Sequence, residues 1–153
     1  MQNTGNRKTQ RQNKKIFLDS SVLFAAILSP GGGAFRILLE ASPQNLEIFI
    51  TPYVLSEVDE ALTEKYPERR DLLDKLLAIF PIHLVPDPSE SLVETFISRI
   101  DPEDAPVVAG ALFAKAKYLL TFDKKHLLAK KEDFARLLNI LTPGDFIQQH
   151  FKS

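Results

Sequence analysis

The chain has no cysteine, which excludes disulfides, thiolate metal sites and a cysteine nucleophile. That absence is compatible with a reducing compartment, and a cytoplasmic location is expected. Histidine is scarce: there are three, none spaced from another as a metal-binding pair. His83, inside a short apolar run, reads as a surface or edge residue. No apolar run approaches the roughly 18–20 residues that span a bilayer, so no membrane partner is expected. The amino terminus also lacks the apolar core of a secretory signal. No repeat and no second domain is visible.

Acid is missing from the first fifteen residues. Arg7, Lys8, Arg11, Lys14 and Lys15 give that head a charge of +5, and a net charge of −1 leaves −6 for the rest. The head is rich in Asn, Gln and Thr and has no apolar anchor after Met1. It reads as a disordered arm over 1–15, ahead of a single domain over 16–151. Such an arm is either a solvated tail or a loose attractor of nucleic-acid phosphate, and it lacks the aromatics of a stacking surface.

What is present is ordinary for a globular protein: 44% hydrophobic and 25% charged residues in 153, enough for one real core. Apolar runs at 16–18, 46–50, 82–86, 118–121 and 139–141 read as strands, with helical patterns between them. Strands alternating with helices predict an α/β fold, a three-layer αβα sandwich with a central, mainly parallel sheet of four to five strands. Gly31, Gly32 and Gly33 form a connector. They follow a helix rather than a strand and lack the Lys-Ser/Thr of a phosphate loop. Thr51-Pro52 reads as an N-cap with proline at the first helical position. A helix from Pro67 is expected to bury Leu72, Leu73, Leu76, Leu77 and Phe80. A later one is expected to face the core with Leu92, Val93, Phe96, Ile97 and Ile100. A short helix is expected to carry Lys124, Lys125, His126, Leu127 and Leu128.

Four acids fall at related places in this plan. Asp19 follows the all-apolar run 16–18, which reads as a strand buried on both faces, and precedes a helix. It suits a helix N-cap and a ligand at a strand's carboxyl end equally well. Glu57 lies in the helix after the second strand, about 9 Å along its axis. Pro106 confines a helix start to near Glu103 or Asp104, which holds Asp104 at the helix mouth. Asp123 ends the fourth strand. In an open α/β sheet all four belong to one edge. Carboxylates gathered there raise one another's pKa at a cost in stability, unless a cation joins them. An oxygen-only set suits Mg²⁺ or Mn²⁺.

Four stretches resemble the PIN-domain family, which includes the toxin ribonucleases of VapC-type toxin–antitoxin pairs. They are Ile16-Phe17-Leu18-Asp19-Ser20-Ser21-Val22-Leu23, Ser56-Glu57-Val58, Asp104-Ala105-Pro106-Val107-Val108-Ala109-Gly110-Ala111 and Leu119-Leu120-Thr121-Phe122-Asp123. Their order holds over about residues 15 to 150. Ser21 stands where many members carry Asn. Asp101 and Glu103 flank Asp104, which is preferred as the third acid because the small-residue pattern from Ala105 to Ala111 is in phase with it. Asp101 remains a fifth acid, able to reach a metal through water.

The resemblance implies a metal-dependent endoribonuclease in which Asp19, Glu57, Asp104 and Asp123 hold one or two Mg²⁺ or Mn²⁺ ions. It casts Ser20, Ser21 and Thr121 as groups that orient a carboxylate or bind phosphate. Lys124, Lys125 and the arm would contact the RNA backbone. An antitoxin protein and a second copy of the chain are the implied partners. Two rivals stand beside it. One is a catalytically silent PIN fold that binds RNA or docks a protein. The other is a haloacid-dehalogenase-like phosphatase, which would need a second acid at the position of Ser21.

Overall fold

The computed structural model describes residues 13–151. Five strands form one sheet: β1 (Lys14–Leu18), β2 (Leu46–Ile50), β3 (Ile82–Leu84), β4 (Tyr118–Leu120) and β5 (Asn139–Leu141). The helices among the described residues are α1 (Ser20–Leu28), α2 (Gly33–Leu39), α3 (Pro52–Lys65), α4 (Arg70–Ile79), α5 (Glu90–Ile97), α6 (Ala105–Phe113) and α7 (Pro143–His150). The sheet order is β3-β2-β1-β4-β5 and every neighbouring pair is parallel. The three-layer α/β/α sandwich and its parallel sheet match the expectation. No single helix among the described residues is long and apolar enough to cross a membrane.

The order explains what the chain does with β1. From β1 the chain moves outward through β2 to β3, then returns across the sheet to β4 and outward again to β5. The direction reverses between β1 and β4, and the crevice at such a reversal is where open parallel sheets bind ligands. Ile16, Phe17 and Leu18 are each no more than 1% exposed, as expected for a strand covered on both faces. The glycine connector turns α2 by 92° from α1.

Gly110 lets α6 press onto this central strand. A methyl group added there would lie 3.1 Å from Phe17 Cζ and 3.3 Å from Thr51 Cγ2, so side chains on two strand ends would have to yield. Gly110→Ala gains up to about 1 kcal/mol of helix propensity against that crowding. Gly110→Val has no such offset and is expected to lower stability by about 2 kcal/mol through overpacking, measurable by urea unfolding. Stability equal to the parent's would contradict this packing.

Three expectations are corrected. β1 begins at Lys14, so Lys14 and Lys15 are not arm residues: they align with Leu46 and Glu47 of β2. Residues 1–12 of the expected arm lie outside the described residues. The segment 124–128 is a run of turns ending in a 3₁₀ turn at Leu128–Lys130, not an α-helix. Leu128 N–H donates to Asp123 C=O at 2.9 Å, a span of five residues that opens the turn beyond α-helical closure. The two expected apolar stripes are also narrower than drawn. Leu73 and Leu76 are buried on α4, whereas Leu72 is exposed, and on α5 Phe96 is buried while Ile97 is exposed.

Candidate active site

Adjacency of β1 and β4 brings the first and last acidic stretches together. Leu18 aligns with Leu120, and the ladder continues one step further as Asp19 N–H donates to Leu120 C=O at 3.0 Å. Thr121 is thereby set beside Asp19, and its own N–H is held by Leu141 C=O of β5 at 3.0 Å. The two side chains, 102 residues apart, meet in a 2.7 Å hydrogen bond from Thr121 Oγ1 to Asp19 Oδ2.

Asp19 occupies the N-cap position of α1, yet its side chain makes no capping hydrogen bond. The carboxylate turns instead to two hydroxyls: Thr121 and Ser21, whose Oγ donates to Oδ2 at 2.9 Å. Ser21 Oγ also accepts from Phe122 N–H at 3.0 Å, and Thr121 Oγ1 accepts from Asp123 N–H at 2.9 Å. Each hydroxyl thus fastens Asp19 to the turn after β4. Asp19 is only 6% exposed, and burial raises its carboxyl above the ordinary value against the lowering pull of Thr121, Ser21 and the Ser20 backbone N–H.

This geometry makes Thr121 a structural pivot. Thr121→Val keeps the shape but strips Asp19 of its shortest donor and Asp123 N–H of its acceptor, in a side chain that is fully buried. A loss of about 2 kcal/mol is expected in denaturant unfolding, with Thr121→Ser recovering most of it. An unchanged midpoint for Thr121→Val would show that these bonds do not hold the site.

Asp104 occupies the N-cap position of α6, likewise without a side-chain capping bond, and burial, with Asp123 next, pushes its carboxyl up to about 6. Beside it lies a histidine that the oxygen-only reading left out. His126 N–H donates to Asp123 Oδ1 at 3.0 Å. Its ring places Nε2 2.9 Å from Asp101 Oδ2, and Nδ1 3.3 Å from Asp123 Oδ2 and 3.7 Å from Asp104 Oδ2. Asp101, Asp104 and His126 form a group in which one ligand atom from each lies within 4.8 Å of the others. Among the described residues no lysine or arginine forms an ion pair with Asp19, Glu57, Asp101, Asp104 or Asp123.

Glu57 is half-buried in α3 on the far side of Asp19. Burial raises its carboxyl, opposed by the hydroxyl of Ser20 and reinforced by the charge of Asp19. Thr51 starts that helix as expected, its Oγ1 accepting from Val54 N–H. Tyr53, one turn before Glu57, donates its hydroxyl to Glu103 C=O at 2.9 Å, and burial beside Glu57 pushes its pKa up to about 12. It ties α3 to the acidic turn 101–104, a link with no sequence signal. Lys124 and Lys125 are exposed in the turn after Asp123. His83 stacks on Phe49 at 5.1 Å on the β3 edge strand, as its expected edge role requires.

The five acids, three hydroxyl residues and two lysines named from the sequence therefore lie along one sheet edge. The family model that matches the chain is the PIN domain, over residues 15–125. No curated protein matches the chain significantly. Solved structures resemble it over most of its length. A chain of VapBC2 from Rickettsia felis, bound to a DNA fragment from its promoter, gives a TM-score of 0.62 at 16% identity, covering 82% of this chain and 96% of its own. VapC20 of Mycobacterium tuberculosis, a sarcin-ricin loop cleaving toxin, gives 0.55 at 18%, covering 72% and 91%. A toxin–antitoxin complex from Klebsiella pneumoniae gives 0.57 at 19%, covering 84% and 97%. At these identities the likeness is one of fold.

Proposed function

The chain belongs to the PIN-domain family, and from that premise we propose that it is a metal-dependent endoribonuclease, the toxin of a type II toxin–antitoxin pair. The observation that carries this reading is the posture of Asp19. A buried carboxylate sits at a helix N-cap, forgoes the cap, and is held by Thr121 and Ser21 toward the acids after β4 and before α6. A capping role does not account for that orientation, and no described lysine or arginine forms an ion pair with the cluster.

The residues fit a hard divalent cation. Asp19, Asp104 and Asp123, with Glu57 across from them, present carboxylates whose mutual repulsion and burial a cation relieves. Mg²⁺ or Mn²⁺ suits such oxygen donors. When bound, the cation supplies charge neutralisation at a phosphoryl group and Lewis acidity toward water. The protein's part is positional. Thr121 and Ser21 fix the Asp19 oxygens, and Asp123 N–H locks Thr121 in place. Lys124 and Lys125 stand where they can meet backbone phosphates, contacts that position a strand without reading its sequence.

The likeness to VapC20 supports RNA as the substrate class, and the likeness to chains of toxin–antitoxin complexes supports an antitoxin as partner. In place of the second acid that a haloacid-type phosphatase needs, Ser21 donates its hydroxyl to Asp19. The test is incubation of internally labelled RNA with Mn²⁺ or with chelator. The proposal expects internal cleavage that chelator stops. A protein that binds the RNA and leaves it intact would be the silent module, and one that releases phosphate only from small monoesters would be the phosphatase.

A further inference from the structure

The acids of this site do not stand alone. We infer that His126, with Asp101 and Asp104, adds an imidazole nitrogen to the cation site, so that the chain binds Mn²⁺ and later first-row ions in preference to Mg²⁺. This rests on the proposed metal site and specifies what that site selects.

Three side chains converge. One ligand atom each from Asp101, Asp104 and His126 lies within 4.8 Å of the other two. Oxygen and nitrogen donors sharing a cation at about 2.0–2.2 Å stand roughly 3 Å apart on the edges of its coordination shell. His126 already lies 2.9 Å from Asp101 through Nε2 and 3.3 Å from Asp123 through Nδ1. Its main chain is pinned by the 3.0 Å bond from His126 N–H to Asp123 Oδ1. Its ring is half-exposed, which leaves room for the turn that aims one nitrogen inward. An imidazolium has two N–H groups and can pair with two carboxylates. Here the ring faces three, from the turn before α6 and the turn after β4.

The donor type decides the preference. Mg²⁺ favours oxygen ligands in a near-ideal octahedron and gives up its waters reluctantly. Imidazole adds little for it, whereas affinity at nitrogen-containing sites climbs from Mn²⁺ through Co²⁺ to Ni²⁺. An all-carboxylate site follows the same order with a shallower slope. Asp101 adds charge to the same rim and acts on every divalent ion alike.

The experiment is calorimetric titration of the full-length, chelator-stripped protein with Mg²⁺, Mn²⁺ and Co²⁺, joined to pulsed EPR of the Mn²⁺-loaded protein. The parent should show a directly coordinated ¹⁴N on Mn²⁺. His126→Asn should lose that signal and weaken Co²⁺ and Mn²⁺ binding on the order of ten-fold, no less than removal of a group that only hydrogen-bonds a metal ligand, with Mg²⁺ binding nearly unchanged. Asp101→Asn should weaken all three ions and keep the nitrogen signal. Tight Mn²⁺ binding by the parent with no nitrogen coupling overturns this inference and leaves the metal site standing. Failure of the parent to bind any divalent ion overturns the metal site itself. Should His126→Asn not fold, the parent's EPR spectrum alone decides.

Discussion

Asp19→Asn is expected to reduce RNA cleavage on the order of 10³-fold or more, comparable to loss of a preorganised charge-stabilising group in other enzymes, while the protein stays folded. The substitution keeps the side chain's shape. An amide oxygen can still accept from Thr121 and Ser21, which donate to a single carboxylate oxygen at 2.7 and 2.9 Å. What disappears is the negative charge that a cation needs. Because burial already opposes that charge in the folded chain, its removal does not cost stability. Asp19→Ala differs: it leaves two hydroxyls without their acceptor, and a penalty of about 1–3 kcal/mol is expected. Single-turnover cleavage and thermal unfolding of the two variants separate charge from structure. Cleavage by Asp19→Asn within about ten-fold of the parent, a barrier change of only about 1.4 kcal/mol, would remove Asp19 from the site.

The second large effect is on stability. A cation at a hundred times its dissociation constant should stabilise the protein by about 2.7 kcal/mol, a rise in Tm on the order of 5–10 °C for a chain of this size. The same site sets the pH dependence of the metal-free protein. The Asp104 carboxyl is raised from 3.8 to about 6 by burial and by Asp123. A group raised on folding contributes stability that is fully present below about 3.8 and is lost as pH rises through about 6. Asp19 and Glu57 shift in the same direction. The chelated protein should therefore be less stable at pH 7.5 than at pH 5, with Asp104 accounting for on the order of 1 kcal/mol after solvent screening. Mn²⁺ should reverse the difference, since it favours the ionised acids. Asp104→Asn should raise the metal-free Tm at pH 7.5 and flatten its dependence on pH. A variant with the parent's Tm at both pH values would mean that Asp104 is free of the cluster.

The acids' shared edge was legible because Asp19, Asp104 and Asp123 are anchored to a strand end or a helix start, and Glu57 rides the helix that follows a strand. The apolar run 16–18, the proline at 106 and the Thr51-Pro52 pair are local signals with local causes. The contact between Asp19 and Thr121 was not. It depends on β1 lying beside β4 rather than elsewhere in the sheet, an outcome of pairing across a hundred residues that no window of sequence encodes. The place of His126 has no signal in the spacing of the histidines, because its partners are acids, one of them three residues away. Its ring also depends on the turns at 124–127, which replace the helix expected there. Tyr53 reads from sequence as one more apolar helix residue. Only the approach of the 101–104 turn gives its hydroxyl an acceptor.

The most direct test of the account is cleavage of one internally labelled RNA by chelator-stripped protein as Mn²⁺ is titrated in, with Asp19→Asn run alongside. The account predicts internal cuts that appear as Mn²⁺ binds, vanish when chelator is restored, and are absent from the variant. RNA cut equally well in chelator, or by Asp19→Asn, would contradict it.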